Sequence, residues 1–286
     1  MSKSFTATGR YQSRRGHDLA VARCDEQNRP MNVVVCVKQI PDPAEPGALD
    51  PNTKTLKREG KLILDESDSF GVEMALQLAE STGGGEVTLV SMGPEVAMAA
   101  IRKGLSMGAH SGVLITDPAL RGADALATAR VLAAAIGRRP FDLVLTGVES
   151  TDGYTGTLPM AVAELLGVPS ATFARKVQVD GSTLRTERQT DLGYDVIECA
   201  LPALATVTGS GADPRYATLK GIMAAKSKPV EQLTLADLGL SAADVAPTQR
   251  VTGVTPTPTK GAGEVIEAGE DAAARIADFL SEAKVV

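Results

Sequence analysis

The chain has 286 residues, 43% of them hydrophobic, and a formal net charge of −6, which supplies a full core and argues against a general nucleic-acid surface. No uncharged apolar stretch reaches the ~18 residues that a membrane-spanning helix needs, and none near the start has the form of a secretory h-region, so an intracellular protein without membrane insertion is expected. Cys24, Cys36 and Cys199 lie far apart without CxxC spacing, and His17 and His110 are the only histidines, so no local metal site is expected and the thiols are read as reduced.

Residues 1–30 show no apolar periodicity, and Lys3, Arg10, Arg14 and Arg15 precede any acid. They are read as a disordered extension or the product of a start codon placed ahead of Met31, with a mitochondrial presequence as the alternative. From Asn32 to Gln39 the run NVVVCVKQ has the continuous apolar character of a buried parallel strand. Further strands are expected at Glu86 to Met92, Ser111 to Thr116 and Phe141 to Gly147. Helical spacing fills the intervals at Gly71 to Glu80, Glu95 to Met107 and Ala123 to Gly137. Strand and helix alternate through short turns, the pattern of a doubly wound parallel sheet covered on both faces.

After Pro169 the segments ATFARKVQVD, STLRTERQT and YDVIECALPALATV read as strands separated by turn signals at Asp180-Gly181 and Asp191-Leu192-Gly193, and are expected to add to the sheet antiparallel. The stretch from Ala246 to Gly263 is rich in Pro, Thr and Gly and reads as a linker. Helical spacing then resumes in DAAARIADFLSEA, through Ile276, Phe279 and Leu280. The expected class is therefore α/β: a three-layer sandwich around a mostly parallel, doubly wound sheet, with an antiparallel extension and a C-terminal arm. Its parts are the extension 1–30, a nucleotide-binding domain 31–245, and a linker with terminal helix 246–286.

The loop TGVESTDGYTGTLP follows the fourth strand and opens a helix. Gly147, Gly153 and Gly156 let successive N–H groups turn inward, and Thr155 and Thr157 add hydroxyl donors, so a phosphate fits there without a cationic side chain. The loop holds no lysine and matches neither GxxxxGK[ST] nor GxGxxG. With Glu149 and Asp152 beside it, a mononucleotide is easier to accommodate than a triphosphate; a glycine-rich turn that merely starts a core helix is the competing reading. In KQIPDP, Lys38 can reach a ligand at the strand end, although a lone lysine is more often a solvated charge. The loop SMGPE closes the second strand, where its backbone can meet an adenine edge. In DPRYATLKGIMAAKSKP the spacing of Leu219, Ile222 and Met223 favours an amphipathic helix with its stripe in the core.

Taken together, VVVCVKQIPDP, LVSMGPE, GVESTDGYTGTLP and above all DPRYATLKGIMAAKSKP resemble the β subunit of electron transfer flavoproteins, from Met31 to about Val245. The resemblance implies a heterodimer with an α subunit that carries the redox-active FAD, and an AMP buried in the β subunit. The low aromatic content, 3% with no Trp, agrees with a flavin pocket drawn largely from another chain. Nucleotide contacts are implied at Cys36, at Asp65 to Asp68, at Met92, and along Gly147 to Leu158, including Asp152, Gly153, Thr155, Gly156 and Thr157. Asp65 stands where some relatives have Asn, which directs its contact to adenine or ribose or removes it.

The segment 207–229 corresponds to the family's recognition loop. The resemblance there implies an exposed Leu219 as anchor for a dehydrogenase, with Arg215, Tyr216, Ile222, Met223 and Lys226 at the same surface and Lys220 and Lys228 completing a ring of cations. The implied role is an electron carrier without turnover of its own. It takes electrons from acyl-CoA and other flavin dehydrogenases to a quinone oxidoreductase or similar acceptor, in the bacterial cytoplasm or, alternatively, the mitochondrial matrix. The rivals are a bifurcating β subunit with a second FAD in place of AMP, and a stand-alone ATP-binding module. The latter needs a pyrophosphate loop that the sequence does not offer.

Overall fold

A computed structural model describes residues 30–45, 47–209, 211–255 and 263–285; apart from Pro30, the extension expected at 1–30 lies outside them. The described residues fall into two compact units, divided between Arg250 and Val251.

The first unit is built on β1 (Met31–Cys36), whose Val33 and Val35 face one helical layer while Val34 faces the other. A strand buried on both faces must lie inside the sheet. Beside it run β4 (Gly85–Met92) and β6 (Leu143–Gly147), with β5 (Ser111–Ile115) beyond β4. A separate antiparallel pair, β2 (Gln39–Pro41) and β3 (Leu62–Leu64), closes the base of an excursion over residues 42–61. The remaining strands are β7 (Ser170–Asp180), β8 (Thr183–Thr190), β9 (Gly193–Ala200), β10 (Ala203–Val207) and β11 (Val230–Leu233). The order across the nine-stranded sheet is β11-β5-β4-β1-β6-β10-β7-β8-β9. Every neighbouring pair from β11 to β7 is parallel, and β8 and β9 extend the edge antiparallel.

Helices α1 (Glu66–Ser81), α2 (Met98–Met107) and α5 (Leu219–Ala225) cover one face. Helices α3 (Ala125–Ile136) and α4 (Leu158–Leu166) cover the other. The two longest helices start where the sequence supplies a cap: Asp65 accepts from Ser67 N ahead of α1, and Asp124 from Ala127 N ahead of α3. Asp124 also accepts from Thr248 N, Thr248 Oγ1 and Gln249 N, and these bonds, that from Ala127 foremost, hold its carboxyl down at about 2.

The segment after Pro169 departs from the expected arrangement. YDVIECALPALATV is two strands, and β10 returns to the interior between β6 and β7, parallel to both. The reason lies in its side chains: Ala203 to Val207 are buried throughout, whereas β9 is largely exposed. β11 and the β2–β3 pair were not expected from the sequence, being too short for alternation to mark them. In the second unit, α6 (Ala272–Glu282) forms as its spacing predicts, and none of its residues is buried.

Leu145, at the centre of the sheet, has no exposed surface. Leu145→Ala is expected to lower unfolding stability by about 2–5 kcal/mol, read as a lower urea midpoint at unchanged denaturant slope.

Candidate functional site

The crossovers leave β1 and β6 in opposite directions: from β1 the chain passes to β4 and β5 on one side, and from β6 to β7 and then β10 on the other. Between their carboxyl ends lies the switch point at which open α/β sheets form a ligand crevice. Cys36, Met92 and Gly147 end the strands that border it.

Buried carboxylates gather the loops at this edge. Asp65 has no exposed surface. One of its oxygens accepts from Ser67 N at 3.1 Å and Ser67 Oγ at 2.8 Å. The other accepts from Thr151 N at 2.8 Å and Thr151 Oγ1 at 3.1 Å. Both of its oxygens are thus occupied in tying the start of α1 to the loop after β6. Asp68, one turn on, accepts from Lys38 N at 2.7 Å and from the Gly147 N–H. Burial, and then the charge of Asp65, hold its carboxyl well above the usual range. Burial, with a smaller contribution from Asp68, also pushes the Cys36 thiol up to about 12, so it stands as a neutral thiol at the end of β1. Asp65 and Asp68 thus support the crevice from beneath.

Asp152 brings in charge that the loop's own sequence lacks. Its side chain is 4% exposed and receives Lys38 Nζ at 2.7 Å on one oxygen and the Arg58 guanidinium on the other. Lys38 also donates to Ser150 Oγ at 3.1 Å. Burial pushes the Asp152 carboxyl up, but Lys38 and Arg58 outweigh it and hold the group below the usual range. Two cationic side chains thus stand beside a loop that holds no lysine of its own. Lys38 arrives from the end of β1 and Arg58 from the 42–61 excursion, which sequence adjacency could not reveal. Lys38 carried a weak signal as the lysine after the first strand; Arg58 carried none.

Residues 153–157 are exposed at the mouth. Gly156 takes a φ of +67°, a conformation costly for other residues, and α4 begins after Thr157 without a side-chain cap. A Cβ at Gly153 would lie 3.4 Å from Ser150 Oγ, 3.8 Å from Thr155 Oγ1 and 4.0 Å from Lys38 Nζ. The space that glycine leaves is thus bordered by polar groups. Leu158, partly buried, packs its side chain against the core on the side of α3 and α4.

The segment around α5 forms a second surface. Leu219 is 78% exposed, Met223 60%, Ile222 46% and Tyr216 95%. This overturns the reading of the stripe as core; only Ala225 of the helix is buried. The mount beneath it is reciprocal. Arg102 Nη1, on α2, donates to Ala225 O at 2.6 Å and Lys228 O at 2.7 Å. Lys228 Nζ, beyond α5, donates to Leu105 O, Gly108 O and Ala109 O at the end of α2. Gly221 fits where a Cβ would stand 2.5 Å from Ser106 O. Lys220 and Lys226 are exposed, but Arg215 and Lys228 do not join them in a ring. Arg215 binds Glu73 and Glu80 of α1, at 2.8 and 2.7 Å, and Lys228 caps α2.

The raised pKa of Asp68 carries a pH dependence. The folded state keeps a proton that the unfolded chain loses near pH ~4, so this contribution is complete below that value and is lost as pH rises through the folded pKa. Asp68→Asn is expected to flatten the fall in unfolding free energy as pH rises above about 4, measured by urea titration across pH.

Residues 53–238 match the family model described as the electron transfer flavoprotein domain. Over 264 residues the chain is 39% identical to the "Electron transfer flavoprotein subunit beta" of Mycobacterium tuberculosis, covering 89% of this chain and 99% of that protein. The protein of the same name from Clostridium acetobutylicum is 39% identical over 257 residues, 88% of this chain and 98% of the relative. The "Caffeyl-CoA reductase-Etf complex subunit CarD" of Acetobacterium woodii is 38% identical over 242 residues, 82% of this chain and 92% of the relative. The chain belongs to the electron transfer flavoprotein family, on the side of its β subunits.

Proposed function

We propose that the chain is the β subunit of a heterodimeric electron carrier that holds AMP in the crevice at the β1–β6 switch point and pairs with an FAD-binding α subunit. In this reading electrons pass in the cytoplasm from acyl-CoA and other flavin dehydrogenases to a quinone oxidoreductase or similar acceptor. FAD supplies the redox chemistry, and AMP supplies none. The crevice residues suit a phosphate monoester: glycine backbone at the mouth, the hydroxyls of Thr155 and Thr157, and Lys38 alongside. The scarcity of aromatic side chains, 3% of the chain, supports a flavin held mainly by the partner. The exposed amphipathic helix α6 suits docking on that partner.

The observation that carries the carrier reading is the apolar ridge of Leu219, Ile222 and Met223, exposed on a rigid mount. Burying one such side chain contributes about 1.5–3 kcal/mol, enough to anchor an encounter that must also dissociate. Membership of the family sets aside the stand-alone ATP-binding module. The bifurcating alternative draws support from the Acetobacterium relative, whose name places it in a reductase complex.

An acid extract of the heterodimer is expected to release AMP and FAD in equal amounts; flavin as the sole adenylate-containing species, in double amount, supports the bifurcating reading instead. Leu219→Ala is expected to raise the Michaelis constant of a partner dehydrogenase for the carrier by about ten-fold or more, with flavin and nucleotide content unchanged.

A further inference from the structure

The crevice draws its positive charge from Lys38 and Arg58, two residues remote from the loop in sequence, and the geometry separates their roles. Lys38 Nζ uses two of its three protons, on Asp152 at 2.7 Å and Ser150 Oγ at 3.1 Å. Its ammonium lies 4.0 Å from the point where a Cβ on Gly153 would stand, beside Thr155 Oγ1. The group therefore borders the open space at the mouth of the loop. Arg58 binds the opposite oxygen of Asp152 and donates to Gln39 O at 3.3 Å. It joins the 42–61 excursion to the loop and, by sharing Asp152, leaves the ammonium of Lys38 only partly neutralised. The other carboxylate at the mouth is Glu149, whose Oε2 stands 3.4 Å from a Cβ position on Gly156.

We propose that Lys38 is the counter-charge for the ligand's phosphate, with Asp152 and Arg58 as the residues that position it, and that this bracket selects an adenosine monophosphate over both the uncharged nucleoside and a triphosphate. The proposal rests on the reading of the crevice as a nucleotide site and adds the source of its selectivity. Lys38 and Arg58 bring two positive charges and Asp152 cancels one of them. The remainder, with the backbone N–H groups at the start of α4, suits a single phosphate group. A triphosphate adds charge that Glu149 repels.

The test uses the co-purified heterodimer, freed of nucleotide by dialysis against a chaotropic salt and titrated calorimetrically with 5′-AMP, ATP and adenosine. Lys38→Gln is expected to weaken 5′-AMP binding about ten-fold or more while leaving adenosine within about two-fold, and to reduce the salt dependence of AMP binding. Lys38→Arg, which keeps the charge, recovers most of the affinity, and the wild type prefers AMP to ATP. Equal losses for AMP and adenosine show that Lys38 only orders the loop, and an unchanged AMP affinity shows that it takes no part; either overturns the assignment. A wild-type heterodimer that binds neither AMP nor adenosine refutes the nucleotide reading itself, and the role of Lys38 with it. Should Lys38→Gln fail to assemble, Arg58→Gln is read the same way, with a smaller AMP-specific loss expected and an equal loss for adenosine contradicting it.

Discussion

A carboxylate with no exposed surface, Asp65, connects the first turn of α1 to Thr151 in the loop after β6. A buried carboxylate is tolerated only where its oxygens are hydrogen-bonded, so helix and loop are obliged to meet at one place. Asp68 repeats the device against the backbone of Lys38 and Gly147, and Asp152 repeats it against the side chains of Lys38 and Arg58. The crevice is thereby held from beneath by carboxylates while its mouth stays lined by backbone and hydroxyl groups. Acidic residues around a phosphate site look contradictory in the sequence. In the structure Asp65, Asp68 and Asp152 accept from protein donors and fix the groups that line the crevice.

The two functional surfaces lie at opposite edges of the sheet. The crevice stands at the carboxyl ends of β1 and β6. Helix α2 leads back from the end of β4 to the start of β5, so its last turn, on which α5 is mounted, stands at the amino edge. On the proposed reading, a nucleotide held for the life of the protein and a partner held for one encounter use different parts of the framework. Stability at one need not slow release at the other. The mount of α5 is stiff, each cation closing the carbonyl end of the facing helix, so the apolar ridge meets its partner with little ordering cost.

Much of the framework was legible because the central strands are buried on both faces and read as unbroken apolar runs, as in NVVVCV and LVLTG. Order was harder. ALATV follows an exposed strand without a glycine turn, and only its complete burial reveals that it belongs between β6 and β7. The stripe of Leu219, Ile222 and Met223 was misread by periodicity for a plain reason: a helix presenting apolar residues to a partner has the same spacing as one presenting them to a core. There the family resemblance corrected the pattern. The cations of the crevice were hidden more deeply, since Arg58 reaches Asp152 across 94 residues from a segment without a motif.

The central claim, that backbone groups after β6 hold an adenosine monophosphate while a partner holds the flavin, is tested most directly by phosphorus NMR of the purified heterodimer. An AMP in the crevice gives a phosphomonoester resonance alongside the pyrophosphate pair of FAD, with equal intensity per phosphorus atom. A spectrum that holds pyrophosphate resonances alone contradicts it.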